Sequence, residues 1–199
     1  MPINILIFGV TNFRHMLHFD FNPFPILYTD RLILRQISTD DVNEIISLRS
    51  NKDAMKYIDR PLIESTEAAL QLIQKIMEGI NNNDAITWAI ALQDDSRLIG
   101  TIGFWRIDKD NHRAEIGYML HPDHQKKGIM QEALSVVLHY GFETLHLHSA
   151  EADVNPANEA SKKLLEKNKF VQEAYFRENF YYNGVFMDSA IFSLLTPVK

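Results

Sequence analysis

The chain has 199 residues, of which 46% are hydrophobic and 23% charged, and a formal net charge of -6. That length fits one domain with a sizeable core, and the acidic balance leaves no global basic footprint for nucleic acid. Cysteine is absent, which excludes a disulfide framework, a thiolate zinc site and a cysteine nucleophile and fits a reducing cytoplasm.

The first segment, MPINILIFGVTNF, is apolar. It lacks a positive leader and a small-residue cleavage site, so it does not read as a signal peptide, and no apolar run is long enough to span a bilayer. Residues 1–24 read as an arm packed on the domain or on a partner subunit, unless Met16 is the true start. Phe21-Asn22-Pro23-Phe24-Pro25 is a linker by its two prolines, and the domain proper is set at 25–199. Arg31 to Arg35 reads as a strand. Ser38-Thr39-Asp40-Asp41 caps a helix to about Arg49 with Val42, Ile45, Ile46 and Leu48 apolar. Asn51 to Pro61 reads as a loop. Ser65 opens a second helix carrying Ala69, Leu72, Ile73, Ile76 and Ile80, and the polar run Asn81 to Asp84 stops it.

Three strands follow, Ile86–Leu92, Leu98–Ile107 and His112–Leu120, joined by polar turns at Gln93–Arg97 and Asp108–Asn111. Short turns of this kind predict an antiparallel meander. Met130, Ala133, Leu134, Val137, Leu138 and Gly141 mark one stripe of a helix. His146–Val154 reads as a strand, Asn155-Pro156 as the start of a helix to about Lys167, and Phe170–Phe180 and Val185–Leu195 as a hairpin. Asn183-Gly184 between them is a strong two-residue turn signal. The expected fold class is α/β (α+β): one domain with a mixed, mostly antiparallel central sheet flanked by helices.

Gln125-Lys126-Lys127-Gly128 stands directly before the apolar helix that contains Ile129 and Met130. A helix start exposes backbone N–H groups and the positive end of the dipole. Gly128 admits close approach to the backbone, and two lysines add charge, a combination suited to a phosphate or pyrophosphate. A solvated loop whose glycine only makes a turn has the same sequence. Neither a P-loop nor a GxGxxG pattern occurs. Farther on, Asn155 fits a helix cap and Pro156 the first helical position. Capping at Asn155 leaves Asn158, one turn in, unexplained; its amide offers a donor and an acceptor to an amide-bearing ligand.

In order and spacing, several stretches resemble the GNAT superfamily of acetyl-CoA-dependent N-acetyltransferases, and within it the ribosomal-protein N-terminal acetyltransferase branch. They are Thr29-Asp30-Arg31-Leu32-Ile33-Leu34-Arg35, Ile99-Gly100-Thr101-Ile102-Gly103-Phe104, Ala114-Glu115-Ile116-Gly117-Tyr118-Met119-Leu120, Gln125 to Met130, Asn155-Pro156-Ala157-Asn158 and Tyr182-Asn183-Gly184. The resemblance spans about Thr29 to Leu195 and implies a single-domain GNAT fold. Three positions depart from the family pattern: Met130 replaces a small residue ending the loop, Leu165 replaces a tyrosine of the late helix, and Lys169 replaces a glycine before Phe170.

The resemblance implies direct acetyl transfer from acetyl-CoA to an amine in a ternary complex, with no metal. The coenzyme-binding residues it implies are Gln125, Lys126, Lys127, Gly128, Ile129 and Met130 at the pyrophosphate, Met119 and Leu120 along the pantetheine, and Asn155 and Asn158. Its catalytic candidates are Glu115 as general base and Ser161, one helical turn from Asn158, as hydrogen-bond or proton donor to the thiolate. The bland alternatives are a surface glutamate paired with Arg113 and an ordinary helix serine. An α-amine with pKa near 8 costs about 1.4 kcal/mol to neutralise at pH 7, a lysine about 4.6 kcal/mol. A protein N-terminus therefore demands less of a base. The acceptor is expected between the Asn51–Pro61 loop and the aromatics Phe176, Phe180, Tyr181 and Tyr182.

Other readings are a small-amine acetyltransferase acting on a polyamine, aminoglycoside or amino acid, and a non-catalytic acetyl-CoA sensing module. An acidic patch along the groove would favour polyamines or aminoglycosides. The expected partners are the amine acceptor, no nucleic acid and no membrane, with the chain a monomer or homodimer. The eight histidines include His121 with His124 and His146 with His148, but no carboxylate motif completes a metal set. No Gly-x-Ser-x-Gly elbow points to a serine hydrolase.

Overall fold

A computed structural model describes residues 17–196. The elements are β1 (Leu27–Tyr28), β2 (Leu32–Gln36), α1 (Val42–Ser50), α2 (Lys52–Met55), α3 (Thr66–Asn81), β3 (Ile86–Leu92), β4 (Asp95–Asp108), β5 (Arg113–Leu120), α4 (Ile129–Glu143), β6 (Ser149–Val154), α5 (Glu159–Lys167), β7 (Val171–Tyr182) and β8 (Val185–Leu195). Short 3-10 turns at Thr39–Asp41 and Pro122–His124 lead into the first helix and the Gln125 loop.

Polar caps start the first helices. Ser38 and Asp41 form a reciprocal capping box ahead of α1, and the Ser65 side chain accepts from the Ala68 N–H at the head of α3. Asn51 caps α2, a single turn of helix inside the segment that reads from sequence as loop. The polar turn before β4 is also tighter than its sequence suggests, with β4 beginning at Asp95. At the end of α4 the Leu147 N–H turns back to the Gly141 carbonyl and His146 sits at φ 56. This wrap delays β6 to Ser149, three residues after the sequence-expected start.

The described strands form one sheet in the order β1-β2-β3-β4-β5-β6-β8-β7. Every neighbouring pair is antiparallel except β5 and β6. Asn183 and Gly184, at φ 46 and 82, make the tight turn of the β7–β8 hairpin. Strand alternation sorts the sheet into two faces. Ile86, Trp88 and Ile90 of β3, Phe104 of β4 and Ile116 of β5 pack with α4 in one core. Ala89 and Met119 pack with Ile45 and Leu48 of α1 and Ile73 of α3 in the other.

Leu17 and Phe21 belong to the α4-side core. The Phe21 N–H donates to Asn83 Oδ1, and Trp88 Nε1 donates to the Pro25 carbonyl at 2.7 Å. The described part of the arm thus packs on the domain, crossing the Asn22–Pro23 linker with a cis peptide bond. Residues 1–16, and with them the reading of Met16 as a start, lie outside the described residues.

Candidate active site

β5 and β6 pair only at Arg113 with Ser149, Ala114 with Ala150 and Glu115 with Glu151. Past Glu115 the strands part. β5 stays on β4 as far as Leu120 opposite Gly100, while β6 stays on β8 as far as Val154 opposite Ala190. The result is a wedge in mid-sheet with one edge of Ile116–Leu120 facing an opening rather than another strand.

The loop from β5 to α4 lies at the mouth of this wedge. Gln125 Nε2 donates to the Leu120 carbonyl at 3.0 Å, which ties the loop to the end of β5. Lys126 has φ 59 and Gly128 φ 76. Lys126, Lys127 and Gly128 are exposed. Ser38, Asn51, Ser65 and Asn158 each cap a helical turn with a side-chain oxygen, whereas α4 begins at Gly128 with no side-chain cap. Its first N–H groups are therefore open to an anion. A side chain at Gly128 would be strained by its left-handed backbone, the nearest neighbour to an added Cβ being Arg31 Nη2 at 3.5 Å.

A network that sequence reasoning missed holds this loop. Arg31 Nη1 donates to the Lys127 carbonyl at 3.1 Å, and its guanidinium pairs with Glu132 of α4 at 2.6 Å. Glu132 also accepts from the Arg31 N–H and the Thr29 hydroxyl. Burial works against the charge of Glu132, but the hydrogen bonds from Thr29 and Arg31 outweigh it and hold its carboxyl below the usual range. The signal was in the Thr29-Asp30-Arg31 stretch itself, whose partner lies about a hundred residues away.

Glu115 is the last paired residue before the wedge, and it is buried, with 8% of its surface exposed. Its ion-pair partner is Arg106 at 3.0 Å. The sequence alternative paired it with Arg113, which instead reaches Asp108 and Glu151. Arg106 can reach because a bulge interrupts β4 between Trp105 and Asp108 and puts Arg106 at φ 47. Burial raises the Glu115 pKa above its ordinary value; Arg106 lowers it, and Asp153 and Glu151 raise it further.

On the opposite face of β5, the Tyr118 hydroxyl lies 2.7 Å from Ser161 Oγ of α5. Burial pushes the Tyr118 pKa up to about 12. Tyr118 is a further residue that the sequence reading passed over, because a tyrosine in a strand carries no local sign of its partner on a distant helix.

A cavity of about 500 Å³ opens between the α2 segment and the hairpin tip, lined by Lys52, Met55, Lys56, Asp59, Arg60 and Tyr182 among others. This is the region expected for the acceptor. Burial raises the Asp59 pKa, opposed by Arg60 and assisted by Asp153, so the cavity lies within electrostatic reach of the acidic row on β6.

Residues 31–171 match the family model described as "Acetyltransferase (GNAT) domain". The chain belongs to the GNAT acetyltransferase family. It is 40% identical over 174 residues to "Uncharacterized N-acetyltransferase YoaA" of Bacillus subtilis (strain 168), covering 87% of this chain and 98% of that one. It is 26% identical over 179 residues to the "[Ribosomal protein uS5]-alanine N-acetyltransferase" of Escherichia coli (strain K12), covering 86% and 91%. Among solved structures, the spermidine N-acetyltransferase from Vibrio cholerae in complex with CoA and spermine superimposes with a TM-score of 0.75. It is 27% identical and covers 84% of this chain and 97% of that one.

The GNAT fold brings Met119, Leu120 and Gln125 to Met130 together around the wedge, with Glu115 at its apex and Ser161 across β5. Asn155 and Asn158 take different local roles from those expected. Asn155 Oδ1 accepts from the Ala157 N–H in a turn, so Pro156 precedes the helix. Asn158 is the helix cap, its Oδ1 accepting from the Ser161 N–H at 3.1 Å. Met130 is half-buried against the α4-side core, so the larger side chain leaves the loop open. Leu165 is fully buried and has no proton to give. Among the described residues no group of three or more histidines and acids could hold a metal ion, and no helix is long and apolar enough to cross a membrane.

Proposed function

We propose that this GNAT acyltransferase moves the acetyl group of acetyl-CoA directly onto a protein N-terminal α-amine. The observation that carries the reading is the mid-sheet wedge with an uncapped helix start at its mouth and a buried carboxylate, Glu115, at its apex. The pyrophosphate rests on N–H groups from Lys126 to Met130, and the pantetheine amides follow the open edge of Met119 and Leu120 as an added strand. Asn155 and Asn158 border the same opening from the far side. A backbone N–H of the open β5 edge polarises the thioester carbonyl.

The amine nitrogen attacks the thioester carbon. The N–C bond forms, the C–S bond breaks, and the proton lost by the ammonium goes to Glu115 directly or through water. The raised pKa of Glu115 brings it nearer to that of the amine, which eases the transfer. Sulfur leaves as a thiolate with pKa near 8.5. Full proton transfer from Tyr118, pushed up to about 12, would run uphill by roughly 5 kcal/mol. Ser161 therefore serves as a hydrogen-bond donor to sulfur, oriented by Tyr118.

The small-amine alternative has one observation in its favour, the carboxylates Glu115, Glu151 and Asp153 on a single sheet face, together with the similarity to a spermidine acetyltransferase. The cavity beside them is lined by Lys52, Lys56 and Arg60 against Asp59, a balance that suits a polyamine poorly.

Thiol release from acetyl-CoA with a panel of peptides and small amines tests the assignment. Peptides with a free N-terminus are expected to turn over, and their N-acetylated twins are not. Release only with polyamines would replace the acceptor. Tight coenzyme binding without release would indicate a sensing module. Gly128→Val is expected to weaken coenzyme A binding in calorimetry, because it blocks backbone approach; unaltered affinity would refute the placement of the phosphates.

A further inference from the structure

Among the described residues, none of the cations lining the acceptor cavity lies within ion-pair distance of a carboxylate. Arg31, Arg35, Arg97, Arg106 and Arg113 each lie within ion-pair distance of a carboxylate. Arg49, Arg60 and Arg177 do not, among the described residues, and of these Arg60 lines the cavity with Lys52 and Lys56. Arg60 Nη1 spends a hydrogen bond on the Asp59 carbonyl at 2.8 Å, a neutral acceptor. Lys56 lies over the Tyr57 ring at 5.0 Å.

Arg49 is the most buried of these arginines. Its Nε is buried and has no hydrogen-bond partner among the described residues, and its Nη1 lies 3.7 Å from Met119 Sδ at the open end of β5. It is close enough to Arg60 to feel that charge. A half-buried guanidinium with a buried, unbonded Nε and no ion pair, near a second guanidinium that only Asp59 offsets, is a costly arrangement for a protein to keep. An anion brought in by the substrate would relieve it. Asp59 is the one carboxylate in the lining, against Lys52, Lys56 and Arg60, and it interacts with Arg60 without coming within ion-pair distance. The other carboxylates of this region stand on β5 and β6 at Glu115, Glu151 and Asp153, with Glu115 and Glu151 already engaged by Arg106 and Arg113.

We infer that the acceptor is an amine bearing a carboxylate a short distance away: the amine meets the Glu115 end of the cleft, and the carboxylate meets Arg60, Lys56 and Arg49. This rests on the N-terminal reading above and narrows it to peptides with an acidic side chain just after the first residue. The α-carboxylate of a free amino acid offers the same chemistry from a smaller source.

The experiment uses the full chain, acetyl-CoA and thiol release. The acceptors are hexapeptides with a free N-terminal alanine followed by Glu-Glu, Gln-Gln or Lys-Lys, with free glutamate and spermidine alongside. The Glu-Glu peptide is expected to exceed its Gln-Gln twin in kcat/KM by roughly tenfold, mainly through KM, and the margin should shrink in high salt. Because Arg60 is exposed, its replacement leaves the core intact. Arg60→Glu should move the preference toward the Lys-Lys peptide, a change that a merely structural role would not produce. Free glutamate outpacing every peptide would keep the carboxylate chemistry and assign it to the smaller source. Equal rates for the Glu-Glu and Gln-Gln peptides, faster turnover of spermidine, or an unmoved preference in Arg60→Glu would overturn the inference while leaving N-terminal acetylation standing or falling on the Gln-Gln rate. Release with none of these amines would overturn both.

Discussion

Glu115 acquires its character from three neighbours. Burial and the nearby Asp153 and Glu151 disfavour its charge, and Arg106 partly restores it. As a base it must be ionised, so kcat/KM is expected to fall as pH drops through its pKa, at a higher pH than an ordinary carboxylate would set. Arg106→Gln removes a favourable charge and should move that limb to still higher pH; a limb that stays put or moves down would show that Arg106 does not tune it. The stability linkage has the opposite sense from that of a salt-bridged carboxylate. A folded pKa above the unfolded one means that stability falls as pH rises from the unfolded value through the folded one. Glu115→Gln should therefore be no less stable than the parent at neutral pH, and turnover should drop on the order of a hundredfold or more with coenzyme A affinity kept. Undiminished turnover would remove Glu115 from the chemistry.

At the scale of elements, the helix ends carry most of the local information, and they do so unevenly. Ser38 and Ser65 announce their helices from sequence. Asn155-Pro156 announces one three residues early, because an Asn side chain can close a turn as readily as cap a helix. The end of α5 shows why a glycine is usual before Phe170. Lys169 sits at φ 70, and the Phe170 N–H returns to the Leu165 carbonyl at 3.0 Å, the wrapped ending that favours a residue without a Cβ. Lys169→Gly should relieve that strain and raise stability by about 1 kcal/mol, read as an increase in melting temperature. A decrease would mean that the lysine stem contributes more by packing than its backbone costs.

For the molecule as a whole, the core extends into a segment that the prolines seemed to set apart. Phe21 is 2% exposed, so Phe21→Ala should cost about 3 kcal/mol or more in urea unfolding; a loss under 1 kcal/mol would return that segment to the role of a loose arm. Periodicity and turn chemistry made most of the sheet legible: the meander, the Asn183-Gly184 hairpin and the α4 stripe all follow from local pattern. The helix start, Gly128 and two lysines suggested an anion at the Gln125–Met130 loop, with a plain solvated turn as the alternative, and the resemblance added the coenzyme proposed for it. What stayed hidden depends on partners that no local pattern pairs. Arg31 meets Glu132, Tyr118 meets Ser161, and Arg106 displaces Arg113 as the partner of Glu115 through a bulge that no residue type advertises. Three residue pairs between β5 and β6 form the only strand-to-strand seam joining the two sides of the described sheet. A coenzyme lying beyond that seam would act as mortar between the halves. Its abundance would then set how firmly they hold, with a concentration one hundred times Kd adding about 2.7 kcal/mol to the folded state.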